Sequence, residues 1–345
     1  MRAKIALWSL AMLIATPGQA QQGAAPVTAA SEVTARGETV PVGAGVDSDA
    51  ADDPAIWRNA RHPAQSLIVA TDKKAGLYVY DLTGKVRSFV PAGRVNNVDL
   101  IDMGSQGILV VASDRNNETS ALLQLYRLNT SEARLEPLGA VTGGAGEAYG
   151  VCLMRDGRVL HAFSVLKDGT IEQVAITLGD SSPLGKIVRT LKLTTQTEGC
   201  VVDGRSRTLY VGEEDRGIWA FEAGANASTE GRLVAPVDNT HLVADVEGLA
   251  LLPAGRRGGF LIASSQGDNA YALFSLPGMT PAGRFRIVAG PFGATQETDG
   301  IAVAAGFFGA DYPDGLFVAQ DGDNSPAAQN FKLVSWRDVM RALRP

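Results

Sequence analysis

One apolar strand opening recurs six times along the chain, and no other feature of the sequence restricts the fold so severely. It reads DPAIW at 53–57, NVDLI at 97–101, YGVCLM at 149–154, EGCVV at 198–202, EGLAL at 247–251 and DGIAV at 299–303. The second residues of these segments, 54, 98, 150, 199, 248 and 300, are spaced 44, 52, 49, 49 and 52 positions apart. Each opening is followed by a second apolar run, such as SLIVATDKK or GILVVASDR, and a third, such as GLYVYDL or GIWAFEA. Short β-branched and aromatic runs between Gly/Asn/Asp turns, repeating at about 50 residues, predict an all-β fold, a six-bladed β-propeller. A blade cannot bury its faces without neighbours, so residues 37–345 are expected to form one domain. The last unit needs a strand from elsewhere, and ETVPV at 38–42 is the candidate that would close the ring.

What precedes the repeats reads differently. Arg2 and Lys4, an apolar run from Ile5 to Ala15 and TPGQA predict a signal peptide over 1–20, cleaved after Ala20, in a run too short to span a bilayer. Residues 21–36 carry no apolar periodicity and are expected to be a flexible leader. A secreted protein, extracellular or periplasmic, follows as the expectation, with no membrane partner. The formal charge of −6 becomes −8 once Arg2 and Lys4 leave, which excludes nucleic-acid binding driven by charge. Export would permit a disulfide between Cys152 and Cys200, though two buried thiols fit as well.

The repeat gives the acidic residues a geometry. Residues opening the first strands, Asp53, Asn97, Tyr149, Glu198, Glu247 and Asp299, are expected to form a ring around the propeller axis. The turns after the second strands, with Asp72, Lys73, Lys74, Asp114, Arg115, Lys167, Asp168, Glu213, Glu214, Asp215, Gln266, Asp268, Asp321, Asp323 and Asn324, form a second ring at the same end. Like charges about 4 Å apart repel by roughly 4 kcal/mol at an effective dielectric of 20, so cations or protons must relieve the ring. Carboxylates and amide oxygens without a His or thiolate cluster suit Ca2+. His62, His161 and His241 fall at no equivalent blade positions and read as ordinary core or surface residues. DSDAADD at 47–53 and DGDNSP at 321–326 are not EF-hand loops, so calcium would be held by residues distant in sequence.

Lys73, Lys74, Arg115 and Lys167 follow the second strands of three consecutive blades and should converge on one sector, as a multiply anionic ligand would require. No R-H-G-x-R-x-P segment, cysteine-phosphatase loop or G-K-[ST] nucleotide loop accompanies them.

These segments together resemble the β-propeller phytases. The resemblance covers about residues 38–336 and rests on DDPAIW with TDKKAGLYVYDLTGK, NNVD, TEGCVVD with LYVGEEDRGIW, DVEGLAL with LIASSQGDNAY, and TDGIAV with YPDGLFVAQDGDN and QNFKLVSW. It implies a secreted enzyme, a monomer, that removes phosphate from myo-inositol hexakisphosphate with Ca2+ in structural and catalytic roles. Asp53, Asp299, Asp321, Asp323 and Asn324, with carbonyls of Pro54 and Val98, resemble structural calcium ligands, and Asn97 and Asp99 belong to the same motif set. Asp52, Tyr149, Glu198, Glu214, Asp245, Glu247 and Gln266 resemble the calcium shell around the substrate. Lys73, Arg115 and Lys167 resemble phosphate contacts, with Lys74 and Arg94 further out. By this resemblance the catalytic group comprises Glu198, Glu247, Asp245, Tyr149, Lys73, Arg115 and Lys167. Two departures stand out: Gly293 replaces an Asp of some members, for which Glu297 is a candidate substitute, and Asp72 and Asp114 stand where Asn is expected. The rival readings are a calcium-dependent sugar lactonase, which needs no Lys/Arg sector, and a non-catalytic binding propeller.

Overall fold

A computed structural model describes residues 26–43, 49–179 and 182–344; the expected signal peptide lies outside them. Six sheets are arranged so that their innermost strands, Ala51–Trp57, Val95–Asp102, Ala148–Asp156, Thr197–Asp203, Val246–Ala254 and Ile301–Ala305, touch one another in sequence and close a circle. These are the six openings of the repeat. The second and third runs form the middle strands, as in Leu67–Asp72 and Gly76–Asp81 of blade one. Their unbroken Val/Ile/Leu/Ala character follows from burial on both faces between adjacent blades. In blade one, Val69 and Val79 pack against Val98, Val110 and Tyr126 of blade two.

The fourth, outermost strands, such as Val86–Pro91, carry mixed exposed and half-buried residues and no repeating apolar signal. Blade six has no such strand of its own. Its outer position is taken by Gly37–Glu38, which pairs antiparallel with Leu333 and Lys332, and Thr39 and Val42 donate backbone hydrogen bonds to Phe331 and Gln329. First and last segments of the chain are thereby joined in one sheet.

Part of the expected leader is structured. Ser31–Thr34 adds a fifth strand to blade five, parallel to Thr280–Val288 in the register Ser31 opposite Phe285. The correction has a local cause, since Val33 of this polar segment is buried against the core beside Phe285 and Ile287. A C-terminal helix, Trp336–Ala342, covers the same region with Trp336 and Val339.

Cys152 and Cys200 form a disulfide between the inner strands of blades three and four. It closes a 48-residue separation, a constraint worth about 4 kcal/mol on the loop-entropy account.

Candidate metal centre and active site

A bulge at the start of the inner strands determines which side chains face the axis. In blade one the register runs from Ala51 opposite Asp72 directly to Pro54 opposite Ala70, so Asp52 and Asp53 both lie in the irregular stretch. The same shift falls between Val95 and Val98, Ala148 and Val151, Thr197 and Cys200, and Val246 and Leu249. Counting from these anchors, the equivalent positions are Asp52, Asn96, Tyr149, Glu198, Glu247 and Asp299. This corrects the ring expected from sequence in blades one and two, where Asp53 and Asn97 occupy the next position along, the one that is Gly150, Gly199, Gly248 and Gly300 elsewhere. Those glycines are required by close approach: a Cβ on Gly150 would lie 1.9 Å from the Glu198 carbonyl oxygen, and one on Gly199 2.2 Å from that of Glu247.

Asp52, Asn96, Glu198 and Asp299 of the corrected ring are linked in one network. Asn96 Nδ2 donates to Asp52 Oδ2 and Glu198 Oε1, both at 2.9 Å, and Lys73 Nζ lies 3.1 Å from Asp52 Oδ1 and from Asp299 Oδ2. The Asn97 amide sits 2.9 Å from Glu198 Oε1 and 3.0 Å from the Tyr149 carbonyl, with its nitrogen as donor. Asp53 turns instead to the next blade, where Oδ2 accepts from the Val98 N–H at 3.0 Å, and Asp99 Oδ2 accepts from the Leu153 N–H at 2.9 Å. Asn96 was missed in the sequence because the bulge, which shifts the phase by one residue, leaves no mark in the apolar pattern.

The second ring is equally regular. Lys73, Arg115, Lys167, Glu214, Gln266 and Gly322 each donate a backbone N–H to the segment leading into the inner strand, at Ala50, Arg94, Glu147, Gln196, Asp245 and Gln296 respectively. Its composition splits the mouth into two sectors. Blades one to three present Lys73, Arg115 and Lys167, whereas blades four and five present Glu214 and Gln266. Arg115 Nη1 lies 3.5 Å from Glu147 Oε1, and Lys167 Nζ stands 5.2 Å from the Tyr149 ring centroid, a cation–π contact. Lys74 and Arg94 lie outside this circle, and Arg94 pairs with Glu118 at 2.8 Å. Glu213 does not face the axis, because its Oε1 accepts from the backbone and hydroxyl groups of Thr194 and Thr195, and Oε2 from Trp219 Nε1 at 2.8 Å. It anchors the loop that carries Gln196, whose Nε2 reaches the Tyr149 hydroxyl at 3.4 Å.

In the acidic sector, Glu198, Glu214 and Glu247 bring one carboxylate oxygen each within 4.8 Å of one another. Glu214 Oε1 and Glu247 Oε2 are buried without a hydrogen-bond partner. Burial, followed by Asp52, Glu247 and Asp299, pushes Glu198 well above the usual carboxylate range. Burial and then Glu214 and Asp299 do the same to Glu247, with Asp245 also contributing. Unpartnered hard oxygens converging under mutual repulsion fit a divalent cation of the calcium type. Gln266 extends the set, its Nε2 donating to Asp299 Oδ1 at 2.9 Å.

The residues expected as structural calcium ligands fall in separate surroundings. Asp53 is bound to the blade-two backbone and Asp299 to Lys73 and Gln266. Asp321 and Asn324 face Lys332 Nζ, at 3.1 and 2.8 Å, and Asp323 accepts from Ser325 Oγ at 2.7 Å. An ammonium thus stands among the blade-six oxygens. Pro54 and Val98 line the central channel beside Asp53, Asn97 and Asp99, and its far end is apolar, with Ile56, Leu153 and Val303.

The buried acids set a pH dependence. Burial raises Asp52 to about 7 against the pull of Lys73, and raises Asp99 to about 7. A carboxyl raised in the folded state destabilises the fold above its folded pKa, and the penalty vanishes as pH falls towards the unfolded value of 3.8. In chelator, the melting temperature should therefore rise as pH falls from 8 to 5, whereas saturating calcium, which favours the ionised acids, should flatten or reverse the trend. A chelated protein that melts lower at pH 5 than at pH 8 would contradict this reading of Asp52 and Asp99.

Comparison with known proteins agrees with this geometry. The family model described as Phytase matches residues 3–344. A 3-phytase of Bacillus subtilis (strain 168) is 38% identical over 328 residues, covering 90% of this chain and 85% of the relative. A match of that extent takes in all six blades and both rings of the mouth, and the chain belongs to the phytase family.

Proposed function

We propose that this protein is a calcium-dependent phytase of the 3-phytase type, releasing phosphate from myo-inositol hexakisphosphate by attack of water, without a covalent enzyme intermediate. The observation that carries the reading is the division of the mouth: three cations stand at equivalent positions of blades one to three, and the Glu198–Glu214–Glu247 cluster occupies blades four and five. Ca2+ bound at that cluster would supply Lewis acidity, polarising phosphoryl oxygens and making water a better nucleophile. Glu198 and Glu247 would hold it, with Glu214, Asp245, Gln266, Asp52 and Asp299 completing the oxygen-rich wall.

The chain's own cations then place the ester. Arg115 offers a fork to two phosphoryl oxygens, and Lys73 and Lys167 compact charges to the third and to the developing charge of the transition state. Tyr149, in van der Waals reach of Lys167, closes the wall between the sectors. Lys74 and Arg94, further out, suit a second phosphate on the inositol ring, which favours polyphosphorylated substrates. The cation sector is the point of difference from a lactonase, whose neutral substrate gives these side chains nothing to bind.

Secretion and a monomeric state complete the proposal. The disulfide supports an oxidising compartment, and among the described residues no helix is long and apolar enough to cross a membrane.

The test is direct. Phosphate release from phytate, assayed beside hydrolysis of a sugar lactone in the presence of calcium, should show turnover of phytate alone. Lactone turnover with no phosphate release would overturn the assignment, and calcium stabilisation with neither activity would favour a binding protein.

A further inference from the structure

Blade six is closed by a short junction, in which Gly37 pairs with Leu333 and Glu38 with Lys332 and Arg36, Thr39 and Val42 add backbone hydrogen bonds, and this junction joins the two ends of the ring. The Lys332 side chain beneath it is 0% exposed. Its Nζ is surrounded by oxygens: Glu38 Oε2 at 2.7 Å, Asn324 Oδ1 at 2.8 Å, Asn330 Oδ1 at 2.9 Å and Asp321 Oδ2 at 3.1 Å, the last an ion pair. Asn330 Nδ2 also donates to Glu38 Oε2 at 3.1 Å, so the one carboxylate of the closing strand is held by two groups of its neighbour. Gly293 backs the cage; a Cβ there would lie 3.4 Å from Nζ, and no side chain at that position competes for the oxygens.

A buried ammonium is tolerated only when its charge and its three donors are matched. Here three hydrogen-bond acceptors, one of them the Glu38 carboxylate, take the donors, and the Asp321 carboxylate adds a second negative charge. A dication sharing Asp321 and Asn324 would stand within about 4 Å of this ammonium, where like charges in a buried setting repel strongly.

We propose that Lys332 Nζ, and not a calcium ion, is the resident cation of the blade-six cage, and that it latches the Glu38 strand onto the ring. Closure of the ring is then independent of calcium, while the acidic sector at the axis depends on it.

Three measurements on the full chain test the proposal. Asp321→Asn, which keeps an oxygen towards Lys332, should bind as many calcium ions per chain as the parent in equilibrium dialysis; loss of one ion would overturn the assignment. Lys332→Met should melt at least about 5 °C lower in chelator, where no dication can fill the vacated cage, and an unchanged melting temperature would equally overturn it. Limited proteolysis within residues 37–43 should accelerate about tenfold or more in Lys332→Met, through more frequent opening of the junction. If that variant does not fold, Glu38→Gln removes the same ion pair at a partly exposed side chain and should show the same acceleration. Unchanged proteolysis in the folded variant would refute the latch.

Discussion

Replacing Glu198 or Glu247 by glutamine should lower kcat for phosphate release from phytate by about 100-fold or more, the scale of losing a principal electrostatic element of a transition state. Both side chains are buried, both are pushed well above the usual carboxylate range by burial and by neighbouring carboxylates, and with Glu214 they form the described cluster whose oxygens converge. The amide keeps the shape and removes the charge. A purely structural role predicts destabilisation on this change, whereas the repulsion in the cluster predicts the opposite: in chelator each variant should melt at or above the parent temperature. The parent, but not the variants, should gain strongly on adding calcium. Steady-state kinetics and melting curves on the same samples decide the matter, and a variant retaining parental kcat would remove Glu198 or Glu247 from the mechanism.

Removal of calcium should have the second large effect. Chelation should take phosphate release to background and lower the melting temperature, and restoring calcium should recover both. One site saturated to 100 times its Kd contributes about 2.7 kcal/mol to stability, so loss at several oxygens of the acidic sector should be visible in a melting curve. Magnesium should recover little, because it demands a smaller, near-octahedral shell that three carboxylates and an amide divided between blades four and five cannot tighten to provide. Activity that persists in excess chelator, or full recovery with magnesium, would rule out the calcium reading of the Glu198–Glu214–Glu247 cluster.

The repeat was legible because burial between blades imposes the same demand six times. Strand openings such as EGCVV and EGLAL must carry apolar residues to fill the space between blades, and their glycines must let neighbouring inner strands approach. Closure through ETVPV was legible for a related reason, since a sixth blade lacking an outer strand leaves an open edge. The outer strands were not legible. Val86–Pro91 is half-exposed and answers mainly to its backbone partners, so its side chains are weakly constrained. Ser31–Thr34 likewise became a strand through the free edge of blade five and the burial of a single valine.

At the site, residue types and their sector were readable from order along the chain. Lys73, Arg115 and Lys167 end consecutive second strands, and Glu198, Glu214 and Glu247 belong to the following blades. Composition and spacing thus specify an all-β ring with cations on one side of its mouth and acids on the other, because periodic burial and blade order are properties of sequence. Which atoms meet was settled only in three dimensions. The bulge that puts Asp52 and Asn96 in phase with Tyr149, Glu198, Glu247 and Asp299, and sets Asp53 and Asn97 one position further along, is a backbone register shift that any local pattern of apolar residues accommodates. The partnership of Lys332 with Glu38, 294 residues away, depends on the ring closing on itself. Long-range charge pairing leaves no periodic trace, since it is selected by the environment that the whole fold creates around one buried group.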